Sequence, residues 1–562
     1  MWSRLLRPFY TTPGLLFVFF ACLYVFTYRG QTWSYDGDSM YATTRALATQ
    51  GSLAIGHWGP STPGRDGLLY SKYGIGQSLV ELPGFFLGTL AEAILHPHAL
   101  SIARMLALAI NPLLMALACV LFYGIARTLT FPRRTALMAT LVLGVATSLW
   151  PYAKTDFAEP LLTASLAGAV FCALVVAKKV VAGGERGAGD VARWALLAGV
   201  GLGTGILAKY AAFAYVPVVC VYLTAVAWRR QSLQQWIKMQ VALLIPVAAG
   251  GGIVLLVNFL RFGSPLITGY TSGDHPFTTA IWDGTYGLLF GPYRSLLFYD
   301  PLLFMGLLCL PIFFRKRWRE ALLPVGFLLV SLVIYGTYAP WDGGSSWGPR
   351  YLVPILPYFL WPLMNLGWFG PQNADEMPKR RLPVMGRSAL ILLIGGSIAI
   401  QLIGVIVNYS IYDVYWHGVV TVLPSYKNAL STSPLLTDLW LLPMSLYFAF
   451  TARVPHLGFA PANYPFGPPL PTNPHMPMML DPYALDYFWF TQLPHHAVWS
   501  IAGLLVFGGG MALAAWRLLR RMREGSSCGY PHQPIESAEI GPRIPAAASG
   551  REDRYGDTMR RL

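Results

Sequence analysis

Long apolar segments alternate with short polar ones along most of the chain. From Gly14 onward, apolar runs of roughly 15 to 25 residues recur, and charged loops separate them. A helix of about 20 apolar residues crosses a hydrocarbon layer about 30 Å thick. The pattern predicts an all-α polytopic membrane protein with about 12 transmembrane helices. The predicted spans are 13–28, 102–126, 135–152, 159–177, 194–208, 211–228, 239–258, 296–314, 321–338, 351–370, 388–407 and 495–516.

The composition agrees with a membrane protein. Of the 562 residues, 55% are hydrophobic and 12% charged, whereas a soluble domain carries about 25% charged residues. The six cysteines form no CxxC pair, so they predict neither a disulfide framework nor a zinc site. The net charge of +15 comes from basic clusters at helix ends, and with no nucleic-acid motif in the chain it does not indicate a nucleic-acid partner.

Lysine and arginine positions give the spans a direction. With the N-terminus inside, 29 of the 41 basic residues fall on the cytoplasmic side, as the positive-inside rule requires. Both termini are then cytoplasmic, and the first helix is an uncleaved span. The apolar segments 76–95 and 433–452 would reverse this register if they crossed. We therefore expect 76–95 to be an interfacial helix in the first outer loop.

The loops divide the chain into three parts. A transmembrane module covers 1–370 and contains the outer loops 30–101 and 261–294. Residues 371–523 hold the last helices and a proline- and aromatic-rich outer loop, 408–494. The segment 524–562 lacks hydrophobic periodicity, which predicts a disordered cytoplasmic tail.

Fifteen of the 26 acidic residues lie on the outer side in this topology. The first cluster is SYDGDSMY, where Asp36 and Asp38 precede a helix expected to begin near Ser39. A carboxylate here could act as a general base on a hydroxyl group. The alternative for Asp38 is a helix N-cap, so Asp36 is the stronger candidate for the base.

The second acidic cluster is WPYAKTDFAEPLL, in the outer loop before the fourth span. Asp156 and Glu159 lie at the mouth of two spans, and Pro160 suits the first turn of a helix. Polar residues at such depth commonly line a cavity or a pathway. The alternative is that both carboxylates only favour the positive end of that helix.

Isolated cations lie on the same side. Lys209 stands between two short apolar runs, and Lys72, Arg294 and Arg350 stand in outer loops. Arginine holds phosphate oxygens in a bidentate manner and lysine acts as a point charge, so this set suits a phosphate-bearing lipid substrate. The alternatives are snorkelling for Lys209 and ordinary solvated loop charge for the others.

At these residues the sequence resembles the GT-C superfamily of membrane glycosyltransferases, especially the bacterial protein mannosyltransferase-like and aminoarabinose transferase-like members. The resemblance covers roughly residues 10–370. It is carried by SYDGDSMYATTRALATQGSL, LLYSKYGIGQSLVELPGFFLG, Ala103-Arg104, YAKTDFAEPLL, GLGTGILAKYAAF, RFGSPLITGY with GLLFGPYRSLLFYDPLL, and GGSSWGPRYLVPILP.

The resemblance implies a site on the extracytoplasmic face of a bacterial inner membrane. Asp36 matches the essential acidic residue of the first outer loop, and Glu159, rather than Asp156, matches the second acidic position. The split Asp-Gly-Asp pattern leaves Asp38 as a second candidate for the base. Lys72 and Lys209 fall where the family places phosphate-contacting lysines. The candidates for contact with substrate or phosphate are these two lysines with Tyr73, Arg294, Arg350 and Tyr351. No residue set reproduces a metal site, so a divalent metal ion remains open as a cofactor.

The implied reaction is inverting transfer of a sugar from a polyprenyl-phosphate donor to an acceptor hydroxyl on a lipid, glycan or protein. The alternative is a transporter or flippase for a lipid-linked or anionic solute. A transporter should carry ionisable groups near the bilayer midplane, whereas the ionisable groups here gather at the outer mouths of the spans. An oligosaccharyltransferase is disfavoured, because Trp341-Asp342-Gly343 is only a faint match to that family's signature.

Overall fold

The structure is a computed structural model. It describes residues 11–32, 34–57, 61–95, 101–182, 188–270, 277–369, 384–409, 427, 429–430, 433–451, 489 and 497–527. The chain divides into two compact units, Met1–Leu519 and Arg520–Leu562. The second unit is described only over 520–527, the end of a long helix. Most of the predicted outer loop 408–494 and of the predicted tail 524–562 lies outside the described residues.

The first half of the chain forms eleven α-helices and one small β-ladder within its described residues. These helices are α1 Thr12–Phe26, α2 Tyr35–Gln50, α3 Ile75–Leu95, α4 Ile102–Leu108, α5 Ile110–Thr128, α6 Arg133–Val145, α7 Leu149–Ala153, α8 Glu159–Ala182, α9 Ala188–Ala208, α10 Tyr215–Ala227 and α11 Leu233–Phe262. A 3₁₀ helix, Tyr210–Ala214, joins α9 to α10. The strands β1 Thr62–Pro63 and β2 Leu69–Tyr70 pair antiparallel.

The second half continues the helical pattern in shorter pieces. Its described helices are α12 Ile281–Leu289, α13 Leu296–Tyr299, α14 Pro301–Leu308, α15 Leu310–Lys316, α16 Trp318–Thr337, α17 Leu360–Asn365, α18 Val384–Ile406, α19 Pro434–Thr451 and α20 Ala497–Ser527. A second 3₁₀ helix, Arg350–Phe359, precedes α17. Helix α20 extends four residues into the segment predicted as a tail.

Nine helices of the described part of the chain are long and apolar enough to cross a membrane. They are Ile75–Leu95, Ile102–Thr128, Glu159–Ala182, Gly189–Ala208, Tyr210–Ala227, Leu233–Phe262, Trp318–Thr337, Met385–Ile406 and Val498–Met522. Eight coincide with predicted spans. The first predicted span forms the shorter apolar helix α1. The polytopic helical fold is therefore confirmed.

Five predicted spans are not single α-helices, which corrects the prediction from their hydropathy. Residues 102–126 are divided between α4 and α5, and residues 211–228 begin in the 3₁₀ helix Tyr210–Ala214. Residues 135–152 form α6 and α7, and residues 296–314 form α13, α14 and α15. Residues 351–370 begin as a 3₁₀ helix that contains Pro354 and Pro357. Proline lacks the amide proton of the helical ladder and clashes with the preceding turn, so proline-rich apolar runs break into short helices.

Helix α3 has two different faces. One face is buried and includes Gln77, Ser78 and Glu81. Phe86, Leu87, Leu90 and Ile94 of the other face are exposed, at 54%, 62%, 59% and 68%. Exposed aromatic and aliphatic side chains of this kind suit contact with lipid. By length and composition α3 can also cross, so its orientation as an interfacial helix stays a prediction.

Helices α9 and α11 approach each other closely because small residues lie between them. A Cβ atom on Gly199 would lie 2.0 Å from the Leu243 carbonyl oxygen, and one on Gly203 would lie 2.6 Å from that of Pro246. Small residues four apart allow two helix backbones to pack directly in a membrane protein. This contact supports α9, whose end leads into Lys209.

Candidate active site

Four charged side chains from distant parts of the sequence form one buried cluster. The Glu159 Oε1 atom accepts hydrogen bonds from Lys209 Nζ and Arg350 Nε, each at 2.6 Å. A second nitrogen of Arg350, Nη2, donates to the Asp36 carboxylate. The Glu159 side chain is 1% exposed and that of Arg350 is 7% exposed. Two carboxylates thus balance two cations in a site with little solvent, as buried charges require.

Each member of the cluster lies where a regular element begins or ends. Asp36 is in the first turn of α2, and Glu159 is the first residue of α8, directly before Pro160. Lys209 follows α9, and Arg350 begins the second 3₁₀ helix. Because the loops at these ends converge, the cluster depends on the tertiary fold rather than on any local motif.

Aromatic rings surround the cations. The Arg350 guanidinium lies 3.6 Å from the centre of the Phe157 ring, and Lys209 Nζ lies 5.0 Å from that of Tyr351. Tyr351 stacks on Tyr335, with ring centres 4.2 Å apart and the planes 2° from parallel. Cation–π contacts strengthen when water is excluded. The rings therefore hold the cations in place and lower the local dielectric.

The Asp36 carboxylate is ionised in this arrangement. Burial alone opposes ionisation, but the charge and hydrogen bond of Arg350, the Tyr73 hydroxyl and the Lys209 charge together lower the pKa of Asp36 below its ordinary value of 3.8. Tyr73 shows the converse effect, because burial and the neighbouring carboxylate raise the pKa of its hydroxyl. Asp36 is therefore a carboxylate at neutral pH, and Tyr73 is a hydrogen-bond donor to it.

The helix that carries Asp36 begins earlier than expected. The prediction of a start near Ser39 is wrong, and so is the alternative in which Asp38 is the N-cap: α2 begins at Tyr35, and its N-cap is Ser34. The Ser34 hydroxyl accepts a hydrogen bond from the Gly37 amide at 2.8 Å, which supplies the capping bond. Both aspartates therefore lie inside the first turn.

Asp156 holds this helix start. Its Oδ2 accepts from the Ser34 amide at 3.0 Å, and its Oδ1 accepts from the Ser34 hydroxyl at 2.9 Å. A Cβ atom on Gly37 would lie 2.0 Å from Asp156 Oδ2, so only glycine lets the carboxylate approach this closely. In the structure Asp156 orients the turn that carries Asp36.

The other predicted residues take separate places. Asp38 lines a cleft on another face of α2. Lys72 lies over the Tyr270 ring, with Nζ 5.1 Å from the ring centre. Arg294 is 1% exposed, and its guanidinium carbon lies 5.0 Å from the centre of the Tyr293 ring. The structure thus brings together Asp36, Tyr73, Glu159, Lys209, Arg350 and Tyr351.

Arg294 belongs to the surroundings of a second ion pair. Lys427 Nζ lies 2.6 Å from Asp342 Oδ2, and Lys427 also lies 5.5 Å from the centre of the Trp341 ring. Burial opposes ionisation of Asp342, but the charges of Lys427 and Arg294 lower its pKa below 3.8. This pair joins the segment after α16 to the predicted outer loop 408–494.

A buried polar network behind the site was not predicted. Gln77 Nε2 donates to Glu81 Oε1 at 2.9 Å and to Asn111 Oδ1 at 3.0 Å, and the Thr44 hydroxyl donates to Glu81 Oε2 at 2.7 Å. Asn111 Nδ2 donates to the carbonyl oxygens of Thr155 and Phe157. The network therefore links α2, α3 and α5 to the loop that leads to Glu159.

The donor set does not fit a resident metal ion. Among the described residues, no three His, Cys, Asp or Glu side chains come together. The Asp36 and Glu159 carboxylates that a divalent ion would need are held by Arg350 and Lys209, whose charges oppose a second cation.

Sequence reasoning missed the tyrosines around the cluster. Tyr335, Tyr338 and Tyr270 lie in apolar or loop segments and carry no motif of their own. The YGTY sequence at 335–338 and the tyrosine at 270 in the outer loop 261–294 are the signals that could have indicated them. Gln77, Glu81 and Asn111 are the polar residues inside predicted helices and could have been found on that ground.

The helices and the buried ion cluster define a polytopic membrane protein with a polar site at converging loops. Residues 100–262 match the model of the family described as Dolichyl-phosphate-mannose-protein mannosyltransferase. This confirms the resemblance to membrane glycosyltransferases of the protein mannosyltransferase type. The matched region contains Asp156, Glu159 and Lys209. A search of curated protein sequences gave no match.

Three solved structures match this chain at low sequence identity and with TM-scores below 0.5. The apo oligosaccharyltransferase of Archaeoglobus fulgidus is 12% identical (TM-score 0.44), over 70% of this chain and 55% of that one. ArnT from Cupriavidus metallidurans bound to undecaprenyl phosphate is 16% identical (TM-score 0.43), over 93% and 79%. Arabinosyltransferase EmbB from Mycobacterium smegmatis is 15% identical (TM-score 0.34), over 91% and 37%. The chain thus spans just over half the length of the archaeal enzyme.

Proposed function

We propose that this protein is an inverting glycosyltransferase on the extracytoplasmic face of a bacterial inner membrane. It moves a sugar from a polyprenyl-phosphate donor to the hydroxyl group of an acceptor. The observation that carries the proposal is the buried cluster in which Arg350 bridges Asp36 and Glu159 while Lys209 also holds Glu159. The family match adds the lipid-linked sugar as the donor class.

Asp36 is the general base of this mechanism. It is the partly exposed carboxylate of the cluster, with a side chain 21% exposed, whereas Glu159 is 1% exposed. With Arg350 on the carboxylate, its lowered pKa makes it a weak base. A donor phosphate that draws Arg350 away raises that pKa, so substrate binding activates the base.

Arg350 and Lys209 receive the leaving phosphate. A guanidinium that already spans two carboxylates can exchange one of them for two phosphate oxygens. Glu159 keeps both cations in place, because its Oε1 atom bonds to each of them. Fixed cations where negative charge develops lower the barrier most when water is excluded. Glu159 is thus a positioning residue.

The transfer step balances without another reactant. The acceptor oxygen forms a bond to the anomeric carbon from the face opposite the phosphate, and its proton passes to Asp36. The bond between the anomeric carbon and the phosphate oxygen breaks, and the electron pair leaves with the polyprenyl phosphate. One displacement inverts the anomeric configuration.

The test uses purified, correctly inserted protein and a panel of radiolabelled polyprenyl-phosphate sugars. Binding is scored by protection from thermal unfolding and transfer by label in an acceptor fraction from bacterial envelopes. Asp36→Asn is expected to lower the transfer rate at least about 100-fold, since general base catalysis contributes 10²–10⁴-fold. The matched control is Asp283→Asn, which removes an exposed outer aspartate of α12.

Two results would overturn the proposal. One is transfer at the wild-type rate by Asp36→Asn protein that is correctly inserted. The other is movement of labelled donor across proteoliposome membranes with no release of polyprenyl phosphate, which supports the transporter alternative.

A further inference from the structure

One face of α2 lines a cleft that the proposed mechanism does not use. The cleft has a volume of about 580 Å³, and its described lining from α2 is Asp38, Tyr41, Ala42, Arg45, Ala46, Thr49 and Gln50. These positions follow the three- and four-residue spacing of a single helical face. Residues 54–57 and Arg104 of α4 form the rest of the described lining. A volume of this size suits a small ligand or a headgroup.

The cleft and the ion cluster share one helical turn. Asp36 and Asp38 are two residues apart, so their side chains lie about 200° apart around α2. Asp36 faces Arg350, whereas Asp38 faces the cleft. A molecule in the cleft therefore ends beside the turn that carries the proposed base.

The described lining has an excess of positive charge. Arg45 and Arg104 stand against one carboxylate, Asp38. The Tyr41 hydroxyl hydrogen-bonds with the side chains of Arg104 and Ser101, and the guanidinium carbon of Arg104 lies 5.2 Å from the centre of the Tyr41 ring. These contacts fix the guanidinium plane. The Arg104 Nε atom is buried and has no hydrogen-bond partner among the described residues.

The fixed guanidinium of Arg104 thus lines the same cleft as Arg45. Two arginines and a tyrosine hydroxyl at one cleft match the oxygens of a phosphate group.

Helix α3 packs against Tyr41 of the cleft and has an exposed apolar face on its other side. The Tyr41 ring packs against Phe85 of α3, with ring centres 6.1 Å apart. On the outer face of the same helix, Phe86, Leu87, Leu90 and Ile94 are exposed. Lipid in contact with that face of α3 is thus separated from the cleft by the width of one helix.

We infer that this cleft is the acceptor subsite and that it binds the phosphate of an anionic membrane lipid through Arg45 and Arg104. The inference rests on the proposed function, because it assigns the acceptor for the transfer at Asp36. The lipid then extends from the cleft around the start of α2, so that its hydroxyl meets Asp36 on the other side of that helix.

A cysteine-protection experiment localises the ligand. Thr49→Cys is placed in a background in which the six native cysteines are replaced by serine or alanine, and its alkylation rate is measured for the purified full-length protein in detergent. The probes are dihexanoyl-phosphatidylglycerol, dihexanoyl-phosphatidylcholine and sn-glycerol 3-phosphate. We expect the anionic lipid to slow alkylation several-fold and the neutral lipid to have little effect. Arg65→Cys, which lies at a different and smaller cleft, serves as the matched control and stays unprotected.

Variants of the arginines test their role. Arg45→Gln changes an exposed side chain and should fold; it is expected to raise the half-protecting lipid concentration at least about tenfold, as the loss of a charged hydrogen bond implies. Arg104→Gln should act likewise, and Arg104→Lys should restore part of the protection. Arg65→Gln should leave protection unchanged.

The protection and transfer measurements distinguish failure of the lipid-binding site from failure of the proposed transfer reaction. Equal protection by glycerol 3-phosphate, lost in Arg45→Gln, supports the phosphate site and assigns it to a soluble phosphate rather than to a lipid. Protection that persists in both glutamine variants, or that neutral lipid matches, overturns the inference. Asp36→Asn should abolish transfer and keep protection. If it keeps both, the proposed function fails while the binding site stands.

Discussion

Neutralising Glu159 should destabilise the protein and stop transfer together. Glu159→Gln keeps the size of the side chain but removes the charge that Lys209 and Arg350 share. Each unit pair near 4 Å is worth roughly 4 kcal/mol at an effective dielectric constant of 20, and desolvation offsets much of this. Loss of one partner from a buried pair costs about 3–5 kcal/mol, and the Lys209 side chain, 20% exposed, places the effect at the lower end.

The expected loss in free energy of unfolding is therefore about 3 kcal/mol. It is measured by equilibrium unfolding in mixed micelles, alongside Lys209→Met and the double variant. The double variant removes the cation that the single variant leaves unbalanced, so its loss should be smaller than the sum of the single losses by at least about 1 kcal/mol.

The matched control is Asp190→Asn. Asp190 and Lys179 form an ion pair whose side chains are 41% and 34% exposed, so solvent screening limits the loss to under about 1 kcal/mol. If Glu159→Gln costs no more than this control, or if the cycle with Lys209→Met is additive within about 0.5 kcal/mol, the cluster is not a coupled unit.

Three further predictions concern neighbouring features. Arg350→Gln should move the acid limb of the kcat/KM profile to higher pH, because Asp36 loses the cation that contributes most to lowering its pKa; an unmoved limb would contradict the assignment. Gly37→Ala forces the Asp156 carboxylate away, so unfolding free energy should fall by about 1–3 kcal/mol and kcat should fall with it, whereas Gly189→Ala, with open space at its Cβ, should change neither. Asp342 has a folded pKa below its unfolded value, so its ionised form stabilises the protein above about pH 4 and loses this effect as pH falls through the folded pKa. Asp342→Asn should remove that part of the stability at pH 7 and flatten the acid side of a stability profile.

The helical fold could be predicted because each long span is recognisable from the length and apolar composition of its sequence. A run as long and apolar as 159–177 is stable as a helix in lipid, and helix α8 includes these residues. Segments rich in proline were less predictable. The apolar residues 351–370 satisfy a hydropathy window, but Pro354 and Pro357 remove backbone donors, so the chain forms a 3₁₀ helix instead.

The site could be predicted only in part. The sequence indicated Asp36, Glu159, Lys209 and Arg350 as separate charged residues near the outer ends of transmembrane spans. That Arg350 bonds to both carboxylates depends on residues 314 and 191 positions away, and no local pattern encodes such a pairing. Asp156 and Glu159 are both acidic residues of the same loop, so the sequence does not distinguish them. Only the tertiary packing shows that Asp156 orients the first turn of α2 and that Glu159 holds the two cations.

The two aspartates of α2 have a consequence for substrate range. The side chains on the cleft face of α2 include Asp38, Tyr41, Arg45 and Thr49. Because the Asp36 carboxylate faces Arg350 on another side of the helix, substitutions at these four positions leave its contact with Arg350 in place. If the cleft is the acceptor subsite inferred above, related proteins can diverge in what they modify while keeping the same sugar carrier. Libraries that vary only these four positions should then yield enzymes with new acceptors.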